Sequence, residues 1–420
     1  MTEMGNNSKE KIKPSMLTIS PEVDRARIAD KAIIHAGCKL FGSKTLICDG
    51  AELGYEAPVT VKNCYIGPHV KLKGGYFENA VFLEGAQAGS GSHVRPGTFF
   101  EEQASIAHTV GLKQTILFPF VTLGSLINFC DCLMAGGTSR ENHSEVGSSY
   151  IHFNYTPNQD KATASLIGDV PTGVMLNQHP IFLGGQGGLV GPCRIAYGTV
   201  IAAGSVYRKD QLKQDRLVVE GGGRAGSVPY YPGIYRNVKR QAVNNIIYMA
   251  NLVALMAWYT HVRQAFVGER FPQALYDGLI DTIRVAIDER INRFIAFCGR
   301  LGKSNIKYKK QMDDSTASKH INQKIELFNN RNQAGDLLSR WLVEIKNYEN
   351  KAFVSIIRRR MEAVGSVYID VIKSLDNNEA LLGTQWLQQL VDEVTGQLLA
   401  LFPSIREPSS APGSPLGDDT

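Results

Sequence analysis

At 420 residues and 43% hydrophobic content, the chain is long enough for two or three domains with real cores. Its 45 basic and 40 acidic residues leave a net charge of only +5, without the concentrated basic face that a nucleic-acid partner requires. Seven cysteines, an odd number without framework spacing, speak against a disulfide scaffold and for a reducing, cytoplasmic setting.

Met1 to Pro14 is polar and charged with no apolar core and is not expected to act as a signal peptide; residues 1–20 read as a flexible arm. Over 21–210 aliphatic residues recur every sixth position, in runs that restart after interruptions. Ile28, Ile34, Leu40 and Leu46 form one run, Val94, Phe100, Ile106 and Leu112 a second, and Leu189, Ile195 and Ile201 a third. That period fits neither an α-helix nor a plain strand. It marks a hexapeptide solenoid, with three flat faces to a coil and the leading aliphatic of each hexad inside. The fold predicted for this region is a β-solenoid, a left-handed parallel β-helix. Two stretches break the count, the polar, glycine-rich Ala135 to Ser149 and Asn158 to Pro180, which contains Pro171, Thr172, Gly173 and Pro180. They are expected to leave the corners as loops on the binding side.

A linker is expected over 211–235, with a hinge from Gly221-Gly222-Gly223 to Pro232-Gly233. Beyond it glycine becomes rare and helical periodicity takes over. An all-α helical domain is predicted over 236–402, with helices at about 236–268, 271–301, 318–348, 350–375 and 378–402. Ala242 to Val262 is the most apolar stretch, but Asn244, Asn245, Asn251 and His261 interrupt it. This reads as a buried helix and not as a membrane span. The asparagines are expected near a threefold axis, and the domain is expected to cap the open end of the solenoid or dock a partner protein. Lys307-Tyr308-Lys309-Lys310 and Arg358-Arg359-Arg360 read as solvated faces, and 403–420 as a disordered tail.

Arg95 and Lys113 are eighteen residues apart, one full coil, so their side chains stack about one strand spacing (~4.8 Å) apart. Two unpaired cations that close favour an anion between them, a phosphate first of all. The competing reading is a surface pair splayed into solvent, or one neutralised by Asp131 a further coil along.

Val94–Asp131 and Gly147–Asp210 resemble the acetyltransferase domain of the bifunctional bacterial enzyme that makes UDP-N-acetylglucosamine, N-acetylglucosamine-1-phosphate uridylyltransferase/glucosamine-1-phosphate acetyltransferase. In that family an Arg-Pro-Gly motif and a Lys one coil later bind the sugar phosphate; Arg95-Pro96-Gly97 and Lys113 match without a gap. The family's Gly-x-x-x-Ile-x-x-Asn-Tyr segment is similar to Gly147 through Tyr155, so the resemblance implies that Asn154 and Tyr155 contact sugar and acetyl-CoA. Ile201-Ala202-Ala203-Gly204-Ser205-Val206 resembles the acetyl-CoA-binding coil, implying roles for Ala202, Ala203 and Ser205. The resemblance also implies a homotrimer, an expectation that the need to cover an apolar solenoid face supports.

The departures matter as much. Where the family has a catalytic His, this chain reads Ser125-Leu126-Ile127-Asn128-Phe129-Cys130-Asp131, with serine in the place of the base and Asn128 in the place of a substrate-contacting Tyr. N-acetylation needs a base, a contribution of roughly 10²–10⁴ in rate, which a serine hydroxyl does not supply near neutral pH. The candidate substitute is His143 in the loop Arg140-Glu141-Asn142-His143, oriented by Glu141 or Glu145; His152, alternating with Ile151 and Phe153, reads as a structural contact. The glycine-rich loop of the uridylyltransferase is absent before Arg95, so that activity is not expected of this chain alone. No metal is expected: His108, His143 and His152 are widely spread, and Cys130-x-Cys132 has no second pair. Two functions remain. One is an acyltransferase-like protein acting on a sugar phosphate or nucleotide sugar with acetyl-CoA as co-substrate; the other is a non-catalytic sugar-nucleotide binder or scaffold.

Overall fold

The computed structural model describes residues 17–220, 227, 229–311 and 317–406. Most of the expected arm, the triple-glycine hinge and most of the proline-rich tail lie outside the described residues.

Residues 18–218 form a parallel β-solenoid, with a sixteen-stranded sheet wrapped over two faces and a ten-stranded sheet as the third. Every strand pair is in parallel register with the coil above and below. The interior of the first face is a column of buried residues, Leu40, Val61, Phe77, Val94, Leu112 and Phe129, each opposite the next. Such stacking explains the hexad period: only one residue per face points inward at each level. The solenoid extends past both expected limits. Thr18–Ile19 already pairs with Lys39–Leu40, and Leu217–Val218 pairs with Val200–Ile201, so part of the expected arm and part of the expected linker are strand.

One hexad assignment slips by a residue. Ile47, not Leu46, holds the interior place on the second face, opposite Ile66. Leu46 belongs to the outward column of that face, which continues through Tyr65, Val81, Phe99, Ile116, Leu133 and Leu166. All seven outward residues are buried. A sheet face apolar on both sides needs a cover, because each such side chain gains roughly 1.5–3 kcal/mol on leaving water.

The helical region supplies that cover. After a single turn inside the solenoid, α1 (Val170–Gly173), come α2 (Lys239–His261), α3 (Gln273–Gln311), α4 (Ala317–Glu344), α5 (Lys351–Val364), α6 (Tyr368–Lys373) and α7 (Asn377–Ala400). Helix α2 packs on the second face at Ser165–Ile167, and α3 on the same face at Tyr65–Ile66 and Ala80–Phe82. The helical region therefore lies along the solenoid rather than over its open end, because the apolar second face offers more surface than the terminal coil. The helix expected over 350–375 is broken at Gly365, whose φ of +91° ends α5. Of the arginines expected to be solvated, Arg358 and Arg359 are exposed, Arg359 reaching Glu379 at the capping box that starts α7, while Arg360 is half-buried on the same Glu379.

The asparagines of α2 have a different task from the one expected. Asn244 Nδ2 donates to Asp210 Oδ1 at 2.9 Å, Asn245 Nδ2 to the Ala162 carbonyl at 2.8 Å, and Asn251 Oδ1 accepts from Val170 N at 2.9 Å. They key the helix to the solenoid backbone, which explains polar groups in the most apolar stretch of the chain. This stretch is long and apolar enough to cross a membrane, but it is buried inside the protein. Asn251→Ala leaves the buried Val170 N–H without its acceptor; a loss of about 1–3 kcal/mol in urea unfolding is expected, and a loss under about 0.5 kcal/mol would contradict this keying role.

At the far end of α2, Tyr259 donates to Glu101 and Arg263 pairs with Glu102, all buried. The Arg263 guanidinium stacks 3.7 Å from the Tyr368 ring centroid. Burial and then the adjacent Glu102 carboxylate push the Glu101 carboxyl up to about 8, against the pull of Arg263 and the Tyr259 hydroxyl. In the unfolded chain this carboxyl ionises near 4.5. Between those values the folded chain holds the proton and the unfolded chain does not, so the Glu101 contribution to stability falls as pH rises from about 4.5 to 8. Urea unfolding across pH 5–9 is expected to show that decline, flattened in Glu101→Gln. Parallel curves for the two proteins would refute it.

Candidate anion-binding site

On the first face the outward side chains also form columns. Lys62, Glu78, Arg95, Lys113 and Cys130 follow one another in successive coils, as do Thr60, Tyr76, His93 and Gly111 two residues earlier. The Arg95-Pro96-Gly97 segment sits at the corner between first and second faces. Neighbouring coils turn there with Asn79, Gln114 and Asp131 at positive φ. Pro96 adds one residue to this corner, and Gly97 takes the turn at φ +77°. A Cβ on Gly97 would lie 2.3 Å from the end of the Gln114 side chain, which would have to move, and the positive φ there favours glycine.

The predicted backbone register of Arg95 with Lys113 is present, Val94 pairing with Leu112 and the Arg95 N–H donating to the Leu112 carbonyl. Arg95 leans along the column, its Nη2 donating to Cys130 Sγ at 3.4 Å. Burial and Asp131 raise the Cys130 thiol pKa, while Arg95, Lys113 and Lys161 pull it down; three cations thus surround this point. Glu78, one coil below Arg95, is engaged by Lys62 at 3.0 Å. Neither Arg95 nor Lys113 forms an ion pair with a described residue. Asp131, which could have neutralised them, turns the other way: its Oδ1 lies 2.7 Å from Arg290 Nη2 of α3, both residues 3% exposed, and its Oδ2 accepts from Asn154 Nδ2 at 3.1 Å.

That buried ion pair brings α3 beside the first face and closes a cleft of about 790 Å³. Its solenoid wall carries Tyr76, Glu78, His93, Arg95, Lys113 and Gln114; its other wall is a stripe of α3, Val285, Asp288, Glu289, Asn292 and Arg293. The helix residues follow helical spacing, one face turned to the cleft. Arg293 is held by Glu289 through Nε and Nη2 at 2.9 and 2.8 Å. His93 is exposed, its ring 5.1 Å from that of Tyr76.

The remaining expected site residues lie outside this cleft. Asn154 is tied to Asp131, and Tyr155 is 61% exposed. His143 is half-buried in its loop, which Arg140 pins to the Gln103 and Phe120 carbonyls at 3.0 and 2.8 Å. Ala202, Ala203 and Ser205 form a corner between the third and first faces; the Ser205 N–H donates to the Ala202 carbonyl and Ser205 is buried. Ser125 shares a hydrogen bond of 2.9 Å with His108 one coil below. His152 is structural, as its strand position suggested. It occupies an interior place opposite Leu189, with Nδ1 donating to the Cys130 carbonyl at 2.6 Å and Nε2 accepting from Ser165 Oγ at 2.8 Å. Burial holds its pKa down at about 4. Sequence reasoning missed His93 and every α3 residue. Alternation along His93-Val94-Arg95 puts His93 on the same face as Arg95 and could have found it; for α3 no local signal exists. Among the described residues no group of three or more His, Cys, Asp or Glu side chains could hold a metal ion.

No family model matches the chain. It is similar to bifunctional protein GlmU of Pelobacter propionicus, 27% identical over 184 residues, which is 44% of this chain and 35% of that protein. Bifunctional protein GlmU of Nitratidesulfovibrio vulgaris is 26% identical over 227 residues, 53% of this chain and 45% of that protein. The similarity to GlmU is distant. The same protein of Trichlorobacter lovleyi gives 26% identity over 209 residues, 50% and 40% of the two chains. The chain thus spans less than half the length of the GlmU proteins it matches.

Proposed function

We propose that the cleft binds a sugar phosphate or nucleotide sugar, with the phosphate on Arg95 and Lys113, and that the chain is an acyltransferase-like protein using acetyl-CoA as co-substrate. The observation that carries this reading is the register-matched pair of cations, uncompensated within the described residues, on the wall of a cleft whose size suits a small ligand. The distant GlmU relatives support the ligand class. Transfer of an acetyl group to a sugar amine forms a new N–C bond as the thioester C–S bond breaks, and the amine proton must go to a base. His93, the imidazole inside the cleft, suits that role better than His143 in its pinned loop. The Ser125–His108 hydrogen bond, at the place where the resemblance implies a base, favours the second reading, a binder without turnover.

Calorimetric titration with glucosamine-1-phosphate, UDP-N-acetylglucosamine and acetyl-CoA, paired with a turnover assay on wild type and His93→Ala, separates these readings. Sugar-phosphate binding with turnover lost in His93→Ala supports the transferase. Binding without turnover supports the binder, and no binding of any of the three overturns the assignment of the cleft. The exposed apolar side chains Leu126, Ile151 and Phe153 near the first face, and Phe182, Val200 and Leu217 on the third, support assembly into a homotrimer through the third face and the part of the first face away from α3. Seven free, buried cysteines suit a reducing cytoplasm.

A further inference from the structure

The acidic groups of the cleft are not equivalent. Glu78 is engaged by Lys62 and Glu289 by Arg293, while Asp288 forms no ion pair or hydrogen bond with a described residue. It lies on the α3 wall of the cleft whose solenoid wall carries Arg95 and Lys113. Partial burial raises its carboxyl above the usual range, with Arg284 on the preceding turn opposing that shift. The position of Asp288 is fixed by the buried Arg290–Asp131 ion pair two residues along the same helix.

We propose that Asp288 is a specificity-determining residue of this cleft, accepting a hydrogen bond from a donor group at the non-phosphate end of the bound sugar. The inference rests on the phosphate-site reading above. The cleft is bipolar: uncompensated positive charge on one wall and uncompensated negative charge on the other. A phosphate on Arg95 and Lys113 satisfies the first wall only. The second is satisfied by a ligand carrying a donor, an ammonium ahead of a hydroxyl, since the ammonium adds Coulomb attraction to the hydrogen bond. A doubly anionic ligand with no donor would face repulsion from Asp288. The helical region is thereby part of the binding site and not only a cover for the second face. Specificity resides on a helix distant in sequence from the solenoid motifs.

The test compares glucosamine-1-phosphate, glucose-1-phosphate and inorganic phosphate by calorimetry on the full chain, as wild type, Asp288→Asn and Arg95→Ala. The wild type is expected to prefer the amino sugar over the neutral sugar by about 5- to 20-fold, the scale of one charged hydrogen bond at a partly exposed site. Asp288→Asn is expected to erase most of that preference while leaving inorganic phosphate affinity within about twofold, and Arg95→Ala to weaken all three ligands. If Arg95→Ala weakens binding but Asp288→Asn leaves the preference intact, this proposal fails and the phosphate site stands. If the wild type binds none of the three, both fail together. Unchanged melting of Asp288→Asn would show that any loss is local to the cleft.

Discussion

Arg290→Ala is expected to lower the unfolding free energy by about 3–5 kcal/mol, the scale measured when one partner of a buried ion pair is removed. Arg290 and Asp131 are each 3% exposed, and their closest atoms are 2.7 Å apart. Truncating the arginine leaves a carboxylate buried with only the Asn154 amide as partner. It also removes the tether holding α3 beside the first face. Arg290 itself is imperfectly satisfied, with Nε and Nη1 lacking partners among the described residues. The double change Arg290→Met with Asp131→Asn should therefore recover most of the loss, since it removes both charges and keeps at 131 a residue that tolerates positive φ. Urea unfolding of the two single variants and the double variant completes the cycle. A loss below about 1 kcal/mol for Arg290→Ala would mean that the pair is solvated and does not hold the cleft.

The second large effect concerns the ligand. Arg95→Ala is expected to weaken sugar-phosphate binding by roughly 10- to 100-fold, because a charge-assisted hydrogen bond contributes about 1.5–3 kcal/mol. Lys113→Ala should cost somewhat less, since an ammonium meets phosphate as a point charge while a guanidinium meets it with a planar fork. Both effects should shrink as salt rises from about 0.01 to 0.15 M, where the screening length falls from about 30 to 8 Å. Among the described residues the Arg95 side chain hydrogen-bonds only to Cys130, so its truncation should leave thermal unfolding nearly unchanged. A binding loss accompanied by a large drop in melting temperature would signal damage to the coil and not to the site. Equal affinity in wild type and Arg95→Ala would remove phosphate from this face altogether.

The structure explains which sequence signals carried. The hexad run Val94, Phe100, Ile106, Leu112 assigned every one of its residues to the interior correctly, because in a stacked coil each inward position must be filled by a side chain matching its neighbours above and below. The Arg95–Lys113 pairing was legible for the same reason: coil length converts sequence spacing directly into spatial register. Ile28 to Leu46 carried less, since a residue gained at a corner moves the count by one, as it did at Ile47. A signal left unread was the pair of adjacent apolar residues once per coil, Tyr65-Ile66, Val81-Phe82, Phe99-Phe100, Ile116-Leu117 and Leu133-Met134. Such pairs mark a face buried on both sides, and here they mark where the helices lie.

By itself, then, the sequence determined the solenoid, its coil-to-coil register, the neighbouring cations and the presence of a helical region after it. These are local or strictly periodic features, written in spacings of about seventeen or eighteen residues. Only the tertiary structure decided where the helical region sits, that Asp131 serves Arg290 instead of neutralising Lys113, and that Asp288 faces the cations across a cleft. Those contacts join residues far apart in the chain, Asp131 and Arg290 more than a hundred and fifty positions, chosen by which apolar face lacked a cover and which buried charge lacked a partner. No spacing rule encodes such choices; they follow from the free energy of the whole packed chain.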